Sequence, residues 1–81
     1  MSVLHIIGVV TDVHSEPVLI GPLVKVVVTR RNGEEIPLTL ACAGKYRPLI
    51  GDKLEASIDL THGGVVWARN AVSGAYYMDT R

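Results

Sequence analysis

The run "LVKVVVTRRNGEEIPLTLAC", residues 23–42, constrains the fold more than any other stretch. Both halves alternate apolar and polar residues with a period of two, the pattern of half-buried strands, and an Asn-Gly pair lies between them. Val24, Val26 and Val28 share one face; Lys25, Val27, Thr29 and Arg31 share the other. Beyond the turn, Ile36, Leu38, Leu40 and Cys42 share a face, with Glu35, Pro37, Thr39 and Ala41 opposite. A hairpin must bring the two apolar faces to the same side. A two-residue Asn-Gly turn pairs Val28 with Pro37 and mixes the faces, because a one-residue slip exchanges the sides of a strand. A three-residue loop, Arg31-Asn32-Gly33, pairs Val28 with Ile36, Val26 with Leu38 and Val24 with Leu40. It also puts Gly33 at the left-handed position of a type I turn with a G1 bulge.

That register sets Arg30 opposite Glu34 and Thr29 opposite Glu35. Arg30 and Glu34 then form a surface pair worth less than about 1 kcal/mol. Arg31, at the bulged corner, and Lys25 carry the remaining positive charge of the hairpin. The double-arginine tip is therefore mainly a turn.

The rest of the chain has the same period. Residues 3–13, "VLHIIGVVTDV", are rich in β-branched residues and apolar on both faces, as in a central strand between two layers. Gly8 interrupts them, which predicts a bend or bulge there. Residues 14–22, with two prolines and a glycine, are expected to form a loop. "ACAGKYRPLIGD" is too short and too broken by Gly44, Pro48 and Gly51 for more than one helical turn. "KLEASIDLT" alternates cleanly, with Leu54, Ala56, Ile58 and Leu60 inward and Lys53, Glu55, Ser57, Asp59 and Thr61 outward. A three-residue loop, His62 to Gly64, pairs Leu60 with Val66 and Ile58 with Ala68, leaving Trp67 and Arg69 outward beside Asp59 and Ser57. A two-residue Gly-Gly loop would drive Arg69 into the core. Residues 73–81 form a tail, with 75–81 flexible or adding a short extension to the last strand. The expectation is one all-β domain over residues 1–81: a small five-stranded Greek-key barrel of the OB type, with an SH3-like barrel as runner-up.

Eighty-one residues bury only about 60% of their unfolded surface, so such a domain is marginal alone. Its hydrophobic fraction of 48% suggests that a second copy covers part of it, and a homodimer or larger assembly is expected. Eight Lys and Arg balance eight Asp and Glu, which argues against a strongly basic clamp but not against a local patch. The N-terminal run "MSVLHIIGVV" lacks a basic flank and a cleavage site, and is too short to span a bilayer. A single cysteine, Cys42, cannot form an internal disulfide. A cytoplasmic protein with no membrane partner is expected.

At "AGKYRPLIGDKLEASIDL" a polar segment, an apolar-Gly-polar turn and an alternating strand follow one another. The passage resembles the entry to the fourth strand of OB-type single-stranded-DNA-binding proteins. "VLHIIGVVTDVHSEP" is similar to their first strand, with a mid-strand glycine and a polar loop after it. Small filamentous-phage members of that family are similar in length, which suggests a phage or mobile-element protein. The chain departs from the family in having no Phe, one Trp, three Tyr and no net positive charge. The resemblance implies binding of single-stranded DNA, with RNA left open.

Such binding needs cations along the backbone path and rings on which bases stack. In "GKYRP", Lys45 and Arg47 flank Tyr46. In "VWAR", Trp67 and Arg69 share a face. Lys25 and Arg31 add to the expected ligand face, with Thr29 and Thr39 as hydroxyl donors and Glu35 opposing. The candidate nucleic-acid residues are therefore Lys25, Arg31, Lys45, Tyr46, Arg47, Trp67 and Arg69. Each has a plainer reading: a solvated polar face for the cations, a barrel-end cover for Tyr46, and core or a dimer interface for Trp67. His5, His14 and His62 have no metal-ligand spacing, so no metal or other cofactor is expected. No nucleophile motif surrounds Cys42, and Glu34 and Glu35 point to opposite faces. A non-enzyme is expected, with no small-molecule substrate. The alternative function is a protein-interaction or oligomerisation barrel anchored on Trp67.

Overall fold

The computed structural model of the protein describes residues 2–16, 23–42 and 46–79. Six strands form one open antiparallel sheet: β1 (Val3–Glu16), β2 (Leu23–Thr29), β3 (Glu35–Ala41), β4 (Lys53–Asp59), β5 (Val65–Asn70) and β6 (Tyr76–Asp79). Their order across the sheet is β3-β2-β1-β4-β5-β6. The count exceeds the expected five by one. Residues after Asn70 do not extend β5. They turn back over residues 71–75, and β6 pairs with β5 as a separate strand, Trp67 opposite Asp79 and Ala68 opposite Met78. Tyr77 is the reason: it is 4% exposed and belongs to the core, so burying its ring anchors the segment.

The long β1 organises the sheet. Its first half pairs with β4, from Val3 opposite Asp59 to Val9 opposite Lys53. Its second half pairs with β2, from Val9 opposite Thr29 to Glu16 opposite Leu23. Only Val9 appears in both ladders. The strand extends to Glu16, further than expected; residues 17–22 of the expected loop lie outside the described residues. The bulge also differs from expectation. The register shifts between Val10 and Asp12, so Thr11 is the extra residue and Gly8 is not. Gly8 serves a close crossing: a Cβ built on it would lie 2.6 Å from the Thr29 carbonyl oxygen and 2.7 Å from Val28 Cγ1.

The β2–β3 hairpin has the register read from its parity, with Val28 opposite Ile36, Val26 opposite Leu38 and Val24 opposite Leu40. Gly33 has φ +88°, Arg30 N donates to Glu34 O at 2.7 Å, and Arg30 Nη1 donates to Glu34 Oε1 at 2.9 Å. The β4–β5 hairpin departs from its expected register by two residues. Ala56, not Ile58, stands opposite Ala68, and Ser57 stands opposite Trp67. Asp59 N donates to Gly64 O and Gly63 N to Asp59 O, so residues 60–63 form the loop. Leu60, expected inward, is in that loop and 56% exposed. A second bulge at Val66 turns Val65, rather than Val66, onto the core. An even-numbered slip keeps every side chain on its face, so the apolar pattern alone could not exclude it.

The concave side of the sheet is packed with Ile6, Val10, Val24, Val26, Val28, Leu38, Leu40, Cys42, Leu54, Ala56, Ile58, Ala68 and Tyr77. β3 faces β5 and β6 across this core, with Cα pairs within 8 Å, while no ladder joins them among the described residues. Among the described residues, no helix is long and apolar enough to cross a membrane.

Candidate nucleic-acid interface

The outer face of β1, β4, β5 and β6 carries the chain's ring cluster. Ser57 stands opposite His5 on one side and Trp67 on the other, and it is 5% exposed, covered between the two rings. His5 and Trp67 have centroids 5.7 Å apart, and Tyr76 meets Trp67 edge-on at 6.2 Å. The Arg69 guanidinium carbon lies 5.5 Å from the Trp67 ring centroid, within reach of a cation–π contact. Trp67 is half-buried and Tyr76 is exposed, so the cluster has an open side.

The shifted β4–β5 register gives Arg69 a partner that the expected one would not have. It places Glu55, not Ser57, opposite Arg69. Arg69 Nε donates to Glu55 Oε1 at 2.5 Å, and His5 Nε2 donates to Glu55 Oε2 at 2.7 Å. The hydrogen bond from Arg69 holds the Glu55 carboxyl below its ordinary 4.5; the one from His5 adds to this, and burial works against it. The same hydrogen bond raises the Arg69 guanidinium. A carboxyl depressed in the folded state contributes stability above its unfolded value, and that contribution is lost as pH falls through the folded value. Trp67 emission is therefore expected to change in an acid transition centred below pH 4.5, and Glu55→Gln is expected to abolish it. An unchanged transition in the variant would refute the coupling.

The six candidate residues among those described do not converge on one spot. Lys25 is exposed on β2, opposite His14 and Thr39, beside a shallow groove that also includes Asp12. Arg31 is exposed at the β2–β3 corner. Tyr46, 59% exposed, and Arg47 lie in the connection before β4; Lys45 lies outside the described residues. Burial raises the Cys42 thiol, with the nearby charge of Arg47 opposing it, which suits an inert core cysteine. Trp67 and Arg69 share the outer face of β5, as their spacing implied.

Sequence reasoning missed Lys53, His5 and Tyr76 as members of this face. Lys53 and His5 stand on the face through pairing of β1 with β4, between residues about 50 positions apart. Only the outward parity of Lys53 was visible beforehand. Among the described residues, no group of three or more His, Cys, Asp or Glu could hold a metal ion. Compared with protein-family models, curated proteins and solved structures, the chain matches nothing in any of the three.

Proposed function

We propose that the protein binds single-stranded nucleic acid, with little sequence preference, on the outer face of a barrel of the OB type. Three features support the barrel type: a long first strand shared between β2 and β4, the order β3-β2-β1-β4-β5, and β3 facing β5 across the core. The observation that carries the function is the Trp67, Tyr76 and His5 cluster on the outer face of the sheet. Flat rings on an open strand surface accept bases of any sequence, each worth about 1–3 kcal/mol. Arg69 lies beside the Trp67 ring and is held by Glu55, whose carboxylate offsets its charge.

The test is a titration with oligo-dT of ~20 nucleotides at low salt, followed through the emission of the single tryptophan. Quenching that reverses on adding salt is the expected result, because each phosphate contact adds about −0.7 to the slope of log K against log salt. A flat titration, with no gel shift, refutes the reading.

A second reading is favoured by the exposed aliphatics of β1. Val3, Ile7 and Val9 are 48%, 44% and 44% exposed on the same outer face. A self-association or protein-docking face would cover them, with Trp67 as its anchor. In that case Trp67→Ala changes the oligomeric state and oligonucleotide has no effect.

A further inference from the structure

We propose that the groove between β1, the start of β4 and the β2–β3 turn holds the sugar–phosphate backbone of the strand whose bases stack at Trp67. This rests on the single-strand reading and adds to it the site of charge recognition. The groove is open, 560 Å³ in volume, and its lining includes Ile7, Val9, Thr11, Thr29, Arg31 and Lys53.

Charge marks it out. The whole chain is neutral, with eight cations against eight carboxylates, yet among the described residues Arg30, Arg31 and Lys53 all line this groove and no carboxylate does. Arg30 is bound by Glu34 at 2.9 Å, so Arg31 and Lys53 carry the positive potential. They approach from opposite walls. Register sets Lys53, Val9 and Thr29 in one row across β4, β1 and β2, and Arg31 lies two residues past Thr29. Adjacent strands are about 4.8 Å apart, so the row spans about 10 Å. Of the acids near it, Glu34 is bound to Arg30, and two others are held elsewhere or stand a strand away. Glu55, opposite Ile7, is held by Arg69 and His5, and Glu35 is one strand beyond Thr29.

The floor suits a sugar–phosphate chain. Ile7 and Val9 offer exposed apolar surface to ribose or base edges. The bulge at Thr11 aims its hydroxyl at β2, where Thr11 Oγ1 and Thr29 Oγ1 share a hydrogen bond at 2.9 Å. Thr11 Oγ1 also donates to the Val27 carbonyl oxygen at 3.3 Å, so Thr29 is the donor to Thr11 and the pair pins the bulge to β2 as a polar floor beneath Arg31 and Lys53. Ile7 and Glu55 face each other across β1 and β4, and Glu55 is paired with Arg69 on β5. The groove and the ring cluster are therefore neighbours on one face.

The experiment uses the full chain, ¹⁵N-labelled, with the ~20-nucleotide oligo-dT, and compares the wild type with Arg31→Ala/Lys53→Ala. Both replaced side chains are exposed, and coincident melting curves verify that the fold is kept. The expected result is that amides of Val9, Thr11, Thr29 and Lys53 shift together with the Trp67 indole. The double variant is expected to reduce the salt slope by about 1.4, two phosphate contacts at −0.7 each, while still quenching Trp67 at low salt. Quenching with still groove amides and an unchanged slope overturns the groove and leaves the single-strand reading intact. Absence of quenching, indole shift and gel shift in the wild type overturns both.

Discussion

Gly8→Ala is expected to lower the melting temperature by roughly 10–20 °C. The added Cβ would lie 2.6 Å from the Thr29 carbonyl oxygen and 3.0 Å from its carbonyl carbon. Both are backbone atoms in the β1–β2 ladder, so no side-chain rotation relieves the contact. Val28 Cγ1, at 2.7 Å, belongs to a fully buried core residue and has no room to retreat. Overpacking of this kind costs about 2–3 kcal/mol. In a domain this small, each 1 kcal/mol moves the midpoint by roughly 4–8 °C. Gly33→Ala is the control. Nothing lies within 4 Å of its Cβ position, and the cost there is the strain of φ +88° alone, about 1 kcal/mol. Thermal melts followed by circular dichroism decide the matter. If Gly8→Ala melts with the wild type, β1 does not cross β2 as described.

Tyr77→Phe is expected to cost about 2 kcal/mol at neutral pH, the scale of a hydrogen bond to a charged group. The Tyr77 hydroxyl donates to Asp52 Oδ2 at 2.9 Å and accepts from Asn70 Nδ2 at 3.1 Å. Asp52 Oδ2 also accepts from Leu49 N, and Asp52 O accepts from Val10 N. One hydroxyl therefore ties β6 to the turn before β4 and, through it, to β1. Burial, aided by the Asp52 hydrogen bond, pushes the Tyr77 phenol from 10.0 up to about 12. A folded-state value above the unfolded one gives stability that is complete below pH 10 and is lost as pH rises towards about 12. The deficit of Tyr77→Phe against wild type should accordingly shrink over that window. Denaturant titrations at pH 7, 10 and 11 measure it. A deficit that stays constant across the three would mean that Tyr77 ionises equally in both states.

The first hairpin was legible to the residue because two constraints met there. Parity required Val28, Val26 and Val24 to face the same side as Ile36, Leu38 and Leu40, and Gly33 was available for the left-handed corner. The second hairpin had only parity. "THGGVV" admits several loop lengths, and the choice between Ile58 and Ala68 or Ala56 and Ala68 as partners leaves every face unchanged. The slip was settled by a four-residue loop and a bulge at Val66, neither of which has a residue signature here. β6 escaped notice for a related reason. Four residues, Tyr76–Asp79, are too few to show a period, and their place depends on a ring filling the core under Asp52 and Asn70.

For the candidate site, the sequence by itself determined which side chains face outward: Lys53, Trp67 and Arg69 lie on the outer face because alternation in a strand is local geometry. It also determined the all-β class, the neutral total charge and the position of the first turn. Which outward residues meet was decided only by the tertiary structure. Glu55 binds Arg69 and His5, and Thr29, two residues before Arg31, stands in one row with Val9 and Lys53, because β1 pairs with β4 on one side and β2 on the other. Pairing between distant strands depends on where a chain crosses itself, and a two-residue period carries no information about that.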